Sequence, residues 1–514
     1  MLDWSLSIFW LSLFCGITIL VMRRARHGPP LPPGPPGIPL LGNLLDFPTS
    51  RYGQKLSQLA ATYGDVMHMT LLGQSVVVLG SYEATIELLE KRSANYSDRP
   101  RSVMAELTGY YDWVFVLMPY GQKWRRHRRA ISHTFHPDTL EQAQPMLTDV
   151  ARELLESLIR TPDRFSEHVG YAFARSMMRL VYGIKSTDRN DQLFEMANTI
   201  VHVGAAMSTP GAFLVDTIPS LKYVPSWLPG AGFSRKAAIW ATQTQSYRDQ
   251  LFEAGQGSLE QGITDSLIGY VIGSTSDELL SLQDVVEVCR GAAAAAYAGG
   301  ADSDFAAVYS FFLAMVLNPG AQEKAHAELD AVVGCDRLPE FNDRPSLPYV
   351  NALIKEVLRW HVIPPIGVPH RSVADDLYEG YLIPGGSMIV PNVWAMSRDE
   401  AVYPNPDRFL PERFLKDGNI DPNVRDPADF VFGFGRRICP GLHFVDISLF
   451  ITCASILHVF HIGPPLDGDG EPVPVQPRYV ENSLTSRPEK FGCTIKPRSA
   501  EVAKLVRSHV EQPA

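Results

Sequence analysis

Hydrophobic and polar positions divide the chain into stretches of different period. Trp4 to Met22 is an uncharged, mostly apolar run of roughly 19 residues, against the about 20 that a helix needs to cross a bilayer. Arg23, Arg24 and Arg26 follow at once and only Asp3 precedes, a bias that predicts an anchor with the rest of the chain in the cytosol. A cleaved signal peptide is the competing reading, although no basic segment precedes the run and no small-residue cleavage site closes it. From Tyr63 to Leu79, short β-branched runs bounded by Gly64, Gly73 and Gly80 predict a strand pair. Helical patterning dominates from about Ser81 to Arg359, with Ala151 to Leu180 and Ser281 to Leu317 as its longest stretches. Tyr378 to Val390 predicts strand–turn–strand around Pro384-Gly385-Gly386, and His443 to Phe460 a final helix followed by short extended pieces. The expected architecture is mostly α with a small β region. It comprises an N-terminal membrane anchor over residues 1–26, a proline-rich hinge over 27–40 and a single large domain over 41–514.

Composition refines this reading. With 45% hydrophobic and 20% charged residues, the chain is a folded protein rather than a disordered one. A formal net charge of -10 argues against nucleic acid as a partner, because phosphate binding needs a basic face. The prolines from Pro29 to Pro36 favour a stiff extended spacer that would orient the body beside the membrane, or else a plain linker. Asn95-Tyr96-Ser97 matches the glycosylation pattern, which a cytosolic body makes a chance match. The six cysteines are scattered without a CxxC pair, against both a disulfide framework and a zinc site.

One cysteine stands apart. Phe432-Gly433-Phe434-Gly435-Arg436-Arg437-Ile438-Cys439-Pro440-Gly441 carries three glycines and two arginines around Cys439. The glycines let the backbone turn tightly and approach a flat ligand. Loop amides, the arginines and the start of the next helix can hold the sulfur as a thiolate. Glu356 and Arg359 stand three residues apart, on one helix face. Trp124 and Arg128 stand one helical turn apart, where both could reach one anion. Gly299 and Gly300 interrupt an otherwise strong helix at a cost of about 1 kcal/mol each. That cost points to a kink or a close approach to something large, or to a small-residue helix contact.

The cysteine loop resembles the haem-binding signature of the cytochrome P-450 superfamily, with every signature position present. Glu356-Val357-Leu358-Arg359 resembles the family's Glu-x-x-Arg motif, and Pro411-Glu412-Arg413-Phe414 its matching loop. The resemblance covers nearly the whole chain. Within the family it is closest to fungal secondary-metabolism oxygenases of the O-methylsterigmatocystin-oxidoreductase-like type, on Leu221 to Gly230 and Val431 to Gly441.

The resemblance implies the following expectations. Cys439 is the axial ligand of haem b (iron protoporphyrin IX), with Phe432 beside the thiolate. Arg437, Trp124, Arg128 and His370 bind haem propionates, although His370 could equally be a surface histidine. Glu356, Arg359 and Arg413 form a buried charge triad. Gly299 and Gly300 line the oxygen-activation groove, with Asp302 relaying protons and Ser303 hydrogen-bonding dioxygen or its water. The family usually has threonine where Ser303 stands, and a hydroxyl residue is common where Asp304 stands.

The function so implied is a monooxygenase of the endoplasmic reticulum membrane, single-pass and cytosol-facing. It would insert one oxygen atom from dioxygen into a small lipophilic terpenoid- or polyketide-like compound. Electrons would come from NADPH through a cytochrome reductase, and membrane lipid would be a further partner. A reductase-independent haem–thiolate isomerase or dehydratase, and a non-catalytic haem carrier or sensor, are the alternatives. The acid–alcohol pair Asp302/Ser303 favours the monooxygenase, because the others need no proton relay. Candidate substrate walls are Val103 to Val116, Val203 to Leu214, Ala294 to Ala298, Val362 to Val368 and Leu484 to Ser486.

Overall fold

Helices dominate the computed structural model, which describes residues 28–185, 191–209, 211–273, 281–480 and 485–511. The predicted anchor from Trp4 to Met22, with Arg23, Arg24 and Arg26, lies outside the described residues. In chain order the elements used below are α1 (Tyr52–Tyr63), β1 (Val66–Leu71), β2 (Gln74–Leu79), α2 (Gln122–Thr134), α3 (Pro137–Arg160), α4 (Phe165–Tyr182), α5 (Gln192–Met207), α6 (Gly232–Glu260) and α7 (Leu282–Leu317). They continue with α8 (Pro319–Val332), α9 (Pro348–Trp360), β3 (His370–Arg371), β4 (Asp376–Tyr378), β5 (Tyr381–Ile383), β6 (Met388–Pro391) and α10 (Leu442–Val459). The last are β7 (Phe460–Gly463), β8 (Tyr479–Val480), β9 (Arg487–Pro488), β10 (Thr494–Pro497) and α11 (Ala500–Glu511).

The 36 residues of α7 make a rod of about 54 Å. Its sequence is apolar nearly all round, and such a helix is stable only when surrounded. It packs against α2, α4, α5, α9 and α10, and Cys289, Ala292, Ala293, Phe311 and Phe312 on it are fully buried. Both α7 and α10 are long and apolar enough to cross a membrane, but their apolar windows are mostly buried in protein, so they are core helices.

A small sheet of order β1-β2-β6-β3 stands to one side. The strand pair predicted before Leu79 is β1–β2, joined at Leu72-Gly73, where both residues have positive φ. Three expectations need correction. The helical stretch from Ala151 to Leu180 is two helices, because Pro162 opens a separate turn between α3 and α4. The turn at Pro384-Gly385-Gly386 does not close a hairpin. Instead β4 pairs with β5 through Glu379-Gly380, and β6 joins the larger sheet parallel to β2. Finally, α10 is not the last helix, since α11 follows and packs on α3.

Candidate active site

The cysteine loop is shaped by two glycines in left-handed conformation, Gly433 (φ 79) and Gly435 (φ 54). A Cβ on Gly435 would overlap the carbonyl oxygen of Leu89, so only glycine fits there. The loop closes on itself where the Cys439 amide donates to the Phe432 carbonyl at 2.7 Å. The Phe432 ring is half-buried against the core. Burial pushes the Cys439 thiol up, while the Gly441 amide at the start of α10 and the Arg128 guanidinium oppose that shift. Both opposing groups favour thiolate, as a metal ligand requires.

Beside the loop lies a group of buried cations. Arg437 is 8% exposed and donates to the carbonyls of Ser97 (2.8 Å), Phe115 (3.2 Å) and Met118 (2.7 Å). Its guanidinium sits 4.6 Å from the Trp124 ring centroid. Arg99, also buried, donates to the carbonyls of Val116, Val368 and Pro369. Arg128 donates to the Ile438 carbonyl. Burial depresses all three guanidinium pKa values, that of Arg437 to about 10. Carbonyls are their hydrogen-bond partners here, and a carbonyl carries no net charge. The carboxylate that acts on Arg99 and Arg437 is Asp98, already engaged by Arg371 at 3.2 Å and by the Tyr120 amide at 2.9 Å. The buried Trp124 Nε1 has no partner among the described residues.

His370 is 3% exposed, so the surface-histidine reading is corrected. Its Nδ1 donates to the Tyr96 carbonyl at 2.7 Å. Burial, then Arg99 and Arg437, push the ring well towards neutrality, which leaves Nε2 as an acceptor. An anion that neutralised those arginines would favour the imidazolium, and with it a second donor.

On α7 the two glycines face different things. Gly299 is exposed in the middle of a buried helix, and a Cβ there would meet nothing within 4 Å. Gly300 faces protein, and a Cβ would overlap the Met177 side chain of α4. Close helix packing therefore accounts for Gly300, while Gly299 borders open space. The Asp302 carboxylate accepts from Thr485 Oγ1 at 3.1 Å. The Ser303 hydroxyl turns back to the Gly299 carbonyl at 2.7 Å, the local bond that serine makes readily in helices. Asp304 is fully buried, and neither carboxyl oxygen has a partner among the described residues. Burial raises its pKa to about 8.

Comparison with known proteins decides the family. The cytochrome P-450 family model matches residues 32–492. The chain belongs to the cytochrome P-450 family. It is 37% identical over 507 residues to the cytochrome P-450 monooxygenase COX2 of Coprinopsis cinerea, covering 97% of this chain and 95% of that one. It is 37% identical over 508 residues to the monooxygenase ple1 of Rhodocybe pseudopiperita (97% and 95% covered). To tryptamine 4-monooxygenase of Psilocybe cyanescens it is 38% identical over 493 residues (94% and 96% covered). The chain is thus an oxidoreductase, similar along its length to fungal P-450 monooxygenases.

Haem fits the residues of this P-450. One cysteine cannot hold an iron ion alone, and among the described residues no cluster of three His, Cys, Asp or Glu side chains could do so. A porphyrin would bring its own nitrogen ligands and ask one donor of the protein, which Cys439 could supply. Its two propionates match the cations around Trp124, and the open flank of Gly299 suits a flat group.

The charge triad forms a separate unit. Glu356 and Arg359 are fully buried and make a two-pronged pair at 2.7 and 2.8 Å. Arg413 joins Glu356 at 3.1 Å, and the Leu410 amide donates to Glu356 Oε1 at 2.8 Å. Arg99 was not read from the sequence, and Thr485 was read only as part of the candidate substrate wall Leu484 to Ser486, not as a partner of Asp302. Arg99 carried a faint signal, being an arginine between Asp98 and Pro100 in a segment of Asn and Ser. Nothing in the sequence tied Thr485 to Asp302, 183 positions away.

Proposed function

We propose that this P-450 is a haem–thiolate monooxygenase acting on a small lipophilic secondary metabolite of terpenoid or polyketide type, with electrons from NADPH through a reductase. The observation that carries this reading is the group of guanidinium ions held by carbonyls, with Asp98 shared with Arg371 as the nearby carboxylate, next to a cysteine whose burial is opposed by the Gly441 amide and Arg128. When bound, haem supplies the activation of dioxygen and the transfer of one oxygen atom.

The protein's part is to hold and orient. Cys439 would be the sulfur donor to the iron, with the Gly441 amide and Arg128 favouring its thiolate against the upward push of burial. Trp124, Arg128, Arg437, Arg99 and His370 hold the propionates. Phe432 shields the sulfur, and Gly299 leaves room for the macrocycle. Asp302 carries protons from the hairpin side of α7, and the Ser303 hydroxyl passes them on at its Oγ. Buried Ala294, Ala295, Ala296, Val362 and Ile366 are candidate apolar walls for a lipophilic substrate and exclude water from it.

Membrane attachment at the endoplasmic reticulum, catalytic body in the cytosol, is part of the proposal. Leu40, at the end of the proline hinge, and Leu45, just after it, are 93% and 76% exposed, and Leu214, Tyr223 and Trp227 are further exposed apolar residues. Such surface suits contact with lipid.

Reduced protein with carbon monoxide tests the ligand. Wild type should absorb at the long wavelength peculiar to thiolate-bound haem, and Cys439→Ala should lose that band. Retention in the variant would overturn the assignment. NADPH consumption with added reductase separates the monooxygenase from an isomerase.

A further inference from the structure

The hairpin β8–β9 reaches α7 through an unbroken chain of polar contacts. Its strands pair Tyr479 with Pro488 and Val480 with Arg487. Directly before β9, the Ser486 amide donates to the Ile363 carbonyl at 2.6 Å. Ser486 Oγ lies 3.0 Å from His361 Nε2, and His361 Nδ1 lies 2.6 Å from Ser310 Oγ on α7. Ser310 Oγ also lies 2.6 Å from the Ala306 carbonyl.

The proton positions follow from this network. Ser310 has one hydroxyl proton, and the carbonyl can only accept, so Ser310 donates to Ala306. His361 Nδ1–H then donates to Ser310. Burial holds His361 neutral, its pKa down to about 3, so Nε2 accepts from Ser486. Every group in the chain is satisfied and each bond runs one way. The Tyr479 ring stacks on His361 at 4.6 Å, so one buried imidazole clamps both strands' ends to α7.

The residue next to this clamp is Thr485, whose hydroxyl donates to Asp302 Oδ2 at 3.1 Å. Its backbone is held by Ser486, and its β-branched side chain has few rotamers. The hydroxyl is thereby aimed at the carboxylate by the fold. We infer that Thr485 is a positioning residue for Asp302, and that the hairpin sets the direction in which this carboxylate can take up and release protons. The inference rests on the proposed relay role of Asp302. Thr485 touches no reacting atom and acts through Asp302.

The test uses the intact haem-loaded chain, with carbon monoxide as a probe of the iron's open side. Thr485→Val keeps the side-chain shape and drops the hydroxyl. Its carbon monoxide infrared band should shift or split, whereas Thr485→Ser should keep the wild-type band. In NADPH-driven turnover with reductase, Thr485→Val should raise peroxide per NADPH by about fivefold, the size that one hydrogen bond supports. Thr485→Ser should restore the wild-type ratio. If Asp302→Asn impairs turnover while Thr485→Val matches wild type in either measurement, the positioning role is overturned and the relay survives. An Asp302→Asn enzyme indistinguishable from wild type would overturn both.

Discussion

Among the described residues, two groups of buried or half-buried guanidinium ions near the cysteine loop and α9 are compensated differently. Arg359 and Arg413 converge on the Glu356 carboxylate, with further bonds to the carbonyls of Ser397, Arg408 and Pro404. Arg99, Arg128 and Arg437 converge beside Trp124 with carbonyls as their partners. The first group has a buried carboxylate at its centre, one for two guanidinium ions. The second has only Asp98 near it, and that carboxylate is shared with Arg371. A desolvated cation with little counter-charge is costly, so on the proposed function the second group is where fold and cofactor would depend on each other. The first marks the scaffold that packs α9 against the loop after Leu410.

The largest expected effect breaks the group centred on Glu356. Glu356→Ala strands two buried cations and should cost about 3–5 kcal/mol, seen by denaturant unfolding with or without haem. A loss confined to the haem-loaded form would erase the distinction between the two groups.

The complementary change is Arg99→Met. Removing a buried cation whose nearby carboxylate, Asp98, is shared with Arg371 should leave the haem-free protein as stable as wild type or more so. Haem should be lost to a scavenger about ten- to a hundredfold more readily, the effect of one charge-assisted hydrogen bond. Destabilisation of the haem-free protein would show that the carbonyls alone suffice.

Asp304 sharpens the comparison, because it is a buried acid that escapes its lack of a partner by staying protonated. Its folded pKa, raised from 3.8 to about 8, favours the neutral form. The stability tied to that proton is therefore complete below about pH 4 and is lost as pH rises through about 8. Between pH 6 and pH 8 the loss should be about 2 kcal/mol. Denaturant midpoints at both values should show this slope in wild type and not in Asp304→Asn. Equal slopes would mean that the carboxylate is compensated by groups in solution.

Ser303→Ala should have the smallest effect. Its hydroxyl spends its bond on the Gly299 carbonyl, so haem content should be unchanged and peroxide per NADPH should rise about twofold. An unchanged ratio would remove Ser303 from the relay.

Much of this was legible along the chain because it is written in local patterns. Helix α7 followed from its apolar sequence, the cysteine loop from glycine spacing and the Glu356–Arg359 pair from a three-residue interval. These are properties of backbone geometry within a few residues, which side-chain type and spacing dictate. The turn at Pro384-Gly385-Gly386 shows the limit, since a turn is a local event but the pairing of its flanks is not. Only the tertiary structure decided that Arg99 joins Arg437 across more than 300 positions, that His370 is buried, and that Thr485 meets Asp302. The two glycines of α7 make the same point at a single step of chain. They are equivalent in sequence, yet Gly300 meets Met177 and Gly299 meets open space. Which face of a helix meets which neighbour is settled by packing between distant segments, and that packing carries no signature in the local order of residues.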